Sequence, residues 1–236
     1  MSIADNLRII NENIARAAQK SGRQRADITL IAVTKSVDPQ VLQGEIGTLL
    51  SMGVSHLGEN RVQELTAKQP LCGSDITWHM IGNLQRNKVR NVVGRVAMIH
   101  SLDSLRLAEE ISRIALRENV AADVLIEINI ADEASKHGIA PEDAMDLARE
   151  AARLPNIAVK GLMTIAPFVD DGEENRPHFR RMARLFAELK AAGHDMRHLS
   201  MGMTIDYEVA IEEGATMVRI GTAIFGEREA QNEQNH

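Results

Sequence analysis

The chain has 236 residues, 44% of them hydrophobic but only 3% aromatic, with a formal net charge of −6 and a pI near 5.8. That length allows one large domain or two small ones, and the core must be aliphatic and methionine-filled. The acidic balance excludes a general nucleic-acid or membrane-surface role, no stretch is apolar for long enough to span a bilayer, and the single Cys72 excludes an internal disulfide.

No signal peptide is visible at Met1-Ser2-Ile3-Ala4-Asp5, so a cytoplasmic protein is expected. An amphipathic helix opens the chain over residues 3–21, and strand–helix alternation follows. The strands expected are 28–34, 54–58, 76–81, 96–101, 124–129, 158–164, 198–201 and 217–221. Helices are expected at 102–118, with Asp103 as N-cap, at 141–154, with Pro141 in the first turn, and at 173–192, ended by Gly193. Residues 166–172 read as a long loop, and 227–236 as a polar, frayed tail. About eight strand–helix units in one domain spanning 1–236 predict an α/β fold, a single (β/α)8 TIM barrel with an extra N-terminal helix. A doubly wound open sheet is the alternative.

Two features carry chemistry. Lys35 closes the apolar run Ile28-Thr29-Leu30-Ile31-Ala32-Val33-Thr34, which puts an amine at the C-terminal mouth where barrels keep their active sites. A desolvated amine there can form a Schiff base with an aldehyde. Near the other end, Met217-Val218-Arg219-Ile220 runs into Gly221-Thr222 and an apolar helical start, where backbone N–H groups and a hydroxyl can cup a phosphate. Barrel closure makes the first and last strands neighbours, so Lys35 and Arg219 should face one mouth. The loops after the last two strands, Ser200-Met201-Gly202-Met203-Thr204 and Gly221-Thr222, stand where such barrels bind phosphate. A phosphorylated aldehyde is the ligand class this defines; pyridoxal 5′-phosphate (PLP) and a phosphosugar, the substrate of a class I aldolase, both qualify.

At this point the sequence resembles the PLP homeostasis protein family, relatives of the alanine racemase N-terminal barrel. The resemblance rests on Ala32-Val33-Thr34-Lys35, Gly58-Glu59-Asn60-Arg61-Val62-Gln63-Glu64, Trp78-His79-Met80-Ile81-Gly82-Asn83-Leu84-Gln85-Arg86-Asn87-Lys88, Gly161-Leu162-Met163-Thr164, Leu199-Ser200-Met201-Gly202-Met203-Thr204 and Val218-Arg219-Ile220-Gly221-Thr222-Ala223-Ile224-Phe225-Gly226. These stretches cover nearly the whole chain in order. The resemblance implies that Lys35 carries PLP covalently. It assigns the phosphate to Ser200, to backbone around Gly202 and Met203, and to Gly221 and Thr222. It sets Arg219 against the pyridine nitrogen and lines the pocket with Asn60, His79 and Met163. Where the family usually shows serine, this chain has Thr204, which keeps the hydroxyl.

A guanidinium cannot accept the proton that makes PLP a strong electron sink, which favours racemisation-like chemistry, or none, over transamination. Racemisation also needs a second base. In the racemase relatives this is a tyrosine from a second domain of a partner subunit, a domain this chain is expected to lack. Its one tyrosine, Tyr207, is expected to pack on a helix. The resemblance thus implies a monomeric PLP carrier in vitamin B6 homeostasis, with PLP-dependent apoenzymes as recipients and no turnover. A low-activity amino-acid racemase is the alternative.

Other features read as structural. The eight histidines show no metal-ligand spacing, with His194 and His198 four apart but the second opening a strand. His79 is expected at a strand end at the mouth. Cys72 reads as inert, Arg86-Asn87-Lys88-Val89-Arg90 as a solvated helix face, and Met80, Met163, Met201 and Met203 as core filling. Ser200 lacks the first glycine of a nucleophile elbow.

Overall fold

Strands buried on both faces must pair within a sheet that is covered on both sides, and parallel strands joined by helices do this. The computed structural model, which describes residues 1–133 and 137–226, realises it as a closed eight-stranded parallel barrel. The expected tail, 227–236, lies outside the described residues. The strands are β1 (Thr29–Val33), β2 (His56–Glu59), β3 (Thr77–Met80), β4 (Met98–Leu102), β5 (Ala122–Glu127), β6 (Ile157–Met163), β7 (His198–Ser200) and β8 (Met217–Ile220). β8 returns to β1 with Ile31 opposite Arg219 and Ala32 opposite Ile220, which closes the sheet and eliminates the doubly wound alternative.

Helix α1 (Ile3–Lys20) precedes the barrel. Its start is fixed by a capping box between Ser2 and Asp5, and its apolar stripe of Leu7, Ile10, Ile14, Ala17 and Ala18 is buried. The connecting helices are α2 (Pro39–Ser51), α3 (Val62–Lys68), α4 (Leu105–Arg117), α5 (Ala144–Ala151), α6 (Arg176–Ala191), α7 (Tyr207–Glu212) and α8 (Thr222–Phe225). After β3 the connection is a 3-10 helix, Arg86–Asn91. The cap of α4 is Ser104, not Asp103: its hydroxyl accepts from the Leu107 amide, because β4 continues through Leu102 and delays the helix. Pro141 opens a short 3-10 turn before α5, and Gly193 follows α6 at φ 93° as the expected left-handed stop.

The apolar core has two compartments. The larger lies between the barrel and its helices; the smaller, Ile31, Met98, Leu125, Met163 and Met217, fills the barrel itself. The rest of the interior is polar: His79, His100, Ser200, Glu127 and Arg219 are all buried. No helix of the described residues is long and apolar enough to cross a membrane.

Candidate functional site

Lys35 follows β1 after one intervening residue, Thr34, on an exposed turn whose next residue, Ser36, has φ 61°. A non-glycine residue in that region needs support from its surroundings. Lys68, the last residue of α3 and only 1% exposed, provides it. Its ammonium donates to the Thr34 carbonyl, to Glu59 Oε1 and to Glu64 Oε2, each at 2.7 Å. The Thr34 hydroxyl donates to Glu59 Oε1 at 2.5 Å, and the Ser36 amide to Glu64 Oε2 at 2.8 Å. Both peptides flanking Lys35 are therefore tied to one buried charge cluster. Burial pushes the Glu59 carboxyl up, against the pull of Lys68 and Thr34. For the more open Glu64, burial is outweighed by the bonds from Lys68 and the Ser36 amide, and its carboxyl is held low.

Arg219 lies inside the barrel, 4% exposed. Its Nη1 donates to Ser200 Oγ at 2.6 Å and its Nη2 to the Thr164 carbonyl at 2.8 Å. Burial lowers it to about 10, with Glu127 and Asp206 opposing, so it stays cationic at neutral pH. Ser200 Oγ also lies 3.1 Å from His100 Nδ1, His100 Nε2 lies 3.0 Å from His79 Nδ1, and His79 Nε2 lies 2.9 Å from His56 Nδ1. Glu127 ends β5, opposite Met163 of β6, with its Oε2 buried and unpartnered. Burial and then Asp103 raise its carboxyl to about 7, against the pull of Arg219.

The loops after β7 and β8 are shaped by close approaches. Gly202 has φ 93°, and a Cβ there would lie 2.6 Å from Ala210 Cβ and 2.9 Å from Tyr207 Cα, so only glycine fits. Asp206 Oδ1 accepts from the Met203 amide at 2.7 Å and its Oδ2 from Asn175 Nδ2 at 2.8 Å, while the Arg219 amide donates to the Gly202 carbonyl. A Cβ on Gly221 would lie 3.1 Å from the Val33 carbonyl, which draws this loop against the end of β1. Thr222 and Ala223, at the start of α8, have amides without intrahelical acceptors. Asn60 follows β2 and abuts Gly82, where a Cβ would lie 2.4 Å from the Asn60 carbonyl.

Strand adjacency thus brings Lys35, Arg219, Gly221 and Thr222 to neighbouring strand ends, and hydrogen bonding joins Ser200 to Arg219. Met163 is fully buried in the barrel core, and Met203 sits on the exposed rim. His79 is not at the mouth: it is the third of the four residues of β3 and is held between two imidazoles inside the barrel. Tyr207 is buried, and its hydroxyl accepts from Asn13 Nδ2 of α1 at 2.9 Å. The basic run forms the 3-10 helix: Arg86 and Arg90 are exposed, but Lys88 is half-buried and lines a cavity of about 280 Å³ with Asn60, Arg61 and Gln85. Cys72 is buried, which raises its thiol pKa. Sequence reasoning missed Lys68, Glu127, His56 and His100. For Lys68 the signal present was a Glu64–Lys68 spacing of four in a helix, which ordinarily marks a solvated pair.

The closed barrel, with Lys35 just past the end of β1 and the Gly221 loop drawn against it, has known relatives. The family described as alanine racemase, N-terminal domain, matches residues 6–229. A pyridoxal phosphate homeostasis protein of Aquifex aeolicus is 44% identical over 97% of this chain and 99% of its own length, and that of Escherichia coli K12 is 39% identical over 96% and 97%. PipY of Synechococcus elongatus, solved with PLP bound, superposes with a TM-score of 0.80 at 32% identity, covering 95% of this chain and all of its own. The chain belongs to the pyridoxal phosphate homeostasis protein family.

Proposed function

We propose that this protein holds PLP as a Schiff base on Lys35 and buffers it within vitamin B6 homeostasis without turnover of its own. The observation that carries the reading is the placement of Lys35, on an exposed turn clamped from below, beside the Gly221–Thr222 loop and above the buried cation Arg219. The PLP bound in PipY supports it. When bound, PLP supplies an aldehyde for an amine to capture and an electron-withdrawing ring.

The donor set fits that group. Thr222 and the amides at the start of α8, with the backbone of the neighbouring loop around Gly202 and Met203, would hold the phosphate; Ser200, at the end of β7, is taken by Arg219. Arg219 would stand toward the ring nitrogen as a fixed donor, and it cannot take up the proton that activates the ring. Asn60 and Met163 would line the pocket, with His79 beneath. The exposure of Lys35 suits transfer of the cofactor to PLP-dependent apoenzymes, and the reading includes a monomeric, single-domain, cytoplasmic carrier. The alternative, a weak racemase, needs an acid/base group opposite Lys35, and Tyr207 is committed to Asn13.

The visible absorbance spectrum of the purified protein with PLP tests the reading. A yellow band present in wild type and lost in Lys35→Ala supports it, and L-alanine that keeps its optical purity in the same cuvette supports a carrier over a racemase. A protein that takes up no PLP overturns both and restores the phosphosugar reading.

A further inference from the structure

The barrel interior holds an unbroken hydrogen-bonded series of side chains, Arg219–Ser200–His100–His79–His56, contributed by β8, β7, β4, β3 and β2. Its polarity follows from donor chemistry. A guanidinium only donates, so Ser200 Oγ accepts from Arg219 Nη1. Ser200 Oγ has a second lone pair, but its own hydroxyl proton meets no acceptor among the described residues other than His100 Nδ1, at 3.1 Å, so it donates there. That leaves the His100 proton on Nε2, from which it reaches His79 Nδ1 at 3.0 Å. The same step repeats from His79 Nε2 to His56 Nδ1 at 2.9 Å. One arrangement of protons therefore satisfies every link and the Ser200 hydroxyl together with three neutral imidazoles, and a cationic ring at His79 or His100 would point a proton at a donor.

We propose that His100, His79 and His56 form a one-directional series of neutral Nε2–H imidazoles that fixes Ser200 as the acceptor for Arg219 and so sets the guanidinium in place beneath the ligand. The three histidines are positioning residues for Arg219, and the Ser200 hydroxyl is engaged by the guanidinium rather than by the phosphate. The electrostatics agree. Burial holds His79 at about 3, and it holds His100 well below its usual value with help from His79 and Arg219. His198, on β7, is the other imidazole whose charge is felt by both. The link from this series to the ligand rests on the PLP reading; the series itself does not.

Long-range proton–nitrogen NMR correlations on the uniformly nitrogen-15-labelled full chain, recorded first without added PLP, test the proton arrangement. The expected result is the Nε2–H tautomer at His100, His79 and His56 at pH 7, with no titration of His79 or His100 between pH 6 and pH 8. An Nδ1–H tautomer or a cation at His79 or His100 overturns the proposal. The positioning role is read from PLP affinity and the absorption maximum of the bound cofactor. His100→Leu should weaken PLP binding about tenfold and shift the maximum, since the Ser200 hydroxyl loses the acceptor that keeps its oxygen turned to the charged Arg219. His100→Asn, which restores an acceptor for Ser200, should recover most of both. Unchanged affinity and spectrum in a folded His100→Leu overturn the positioning role. If wild type takes up no PLP, the functional reading fails and the tautomers alone decide the series.

Discussion

Replacing Lys68 with methionine removes the one buried cation that holds the Lys35 turn, at nearly unchanged side-chain length. The variant leaves Glu59, fully buried, without its counter-ion, and strips the Thr34 carbonyl and Glu64 of a charged donor each. Breaking a buried pair from one side costs about 3–5 kcal/mol, a large part of the roughly 5–15 kcal/mol that stabilises a typical domain. In urea-induced equilibrium unfolding this should lower the midpoint by about 1–2 M. The loss should depend on pH. Without Lys68, Glu59 is raised further by burial and takes up a proton in the folded state. Its folded pKa then exceeds the unfolded one, so the variant regains stability as pH falls and loses it as pH rises. The deficit should therefore be smaller at pH 5 than at pH 8. Adding Glu59→Leu removes the orphaned charge and should restore most of the stability. A deficit under about 1 kcal/mol at pH 8, or one that grows on acidification, would show that Lys68 does not neutralise a buried Glu59 carboxylate.

Glu127 makes a second pH prediction: with its carboxyl raised to about 7 in the fold, its penalty develops as pH rises from about 4.5 through 7. Glu127→Gln should thus stabilise the protein at pH 8 by up to about 3 kcal/mol and change little at pH 4.5, as read from paired denaturation curves. Gly202→Ala, forced into a left-handed backbone and against Ala210, should cost about 2–4 kcal/mol and weaken PLP retention measured by dialysis. Tyr207→Phe removes only the acceptor for Asn13. It should lower the thermal midpoint by about 2–4 °C, a loss near 1 kcal/mol, and leave PLP uptake unchanged.

The barrel was legible because most strands are short, largely apolar runs between helical patterns, a signal confined to neighbours in sequence. Boundaries moved where hydrogen bonding overrode composition. β5 runs from Ala122 to Glu127 rather than over 124–129, because Asn129 turns the chain by bonding to the amide and carbonyl of Glu133. The ends of β1 and β8 could be paired from topology alone, which put Lys35, Arg219, Gly221 and Thr222 together. The polar interior could not be read that way. His56, His79 and His100 are more than 20 positions apart and meet only because the barrel closes around them. Lys68 looked like one half of a solvated helical pair; its burial depends on the Thr34 carbonyl and Glu59, which two other strands deliver. His79 was expected at the mouth because it lies close to the C-terminal end of β3, while the ring partners that hold it inside the barrel, His56 and His100, were out of sight.

The proposed carrier role depends on a covalent seat for PLP at Lys35. Borohydride reduction of the PLP-loaded protein, followed by mass-spectrometric peptide mapping, tests it most directly. The expected result is a reduced pyridoxyl phosphate adduct on the peptide containing Lys35 and none there in Lys35→Ala. An adduct confined to other lysines, or a wild-type protein that binds PLP with Lys35 unmodified, would contradict it.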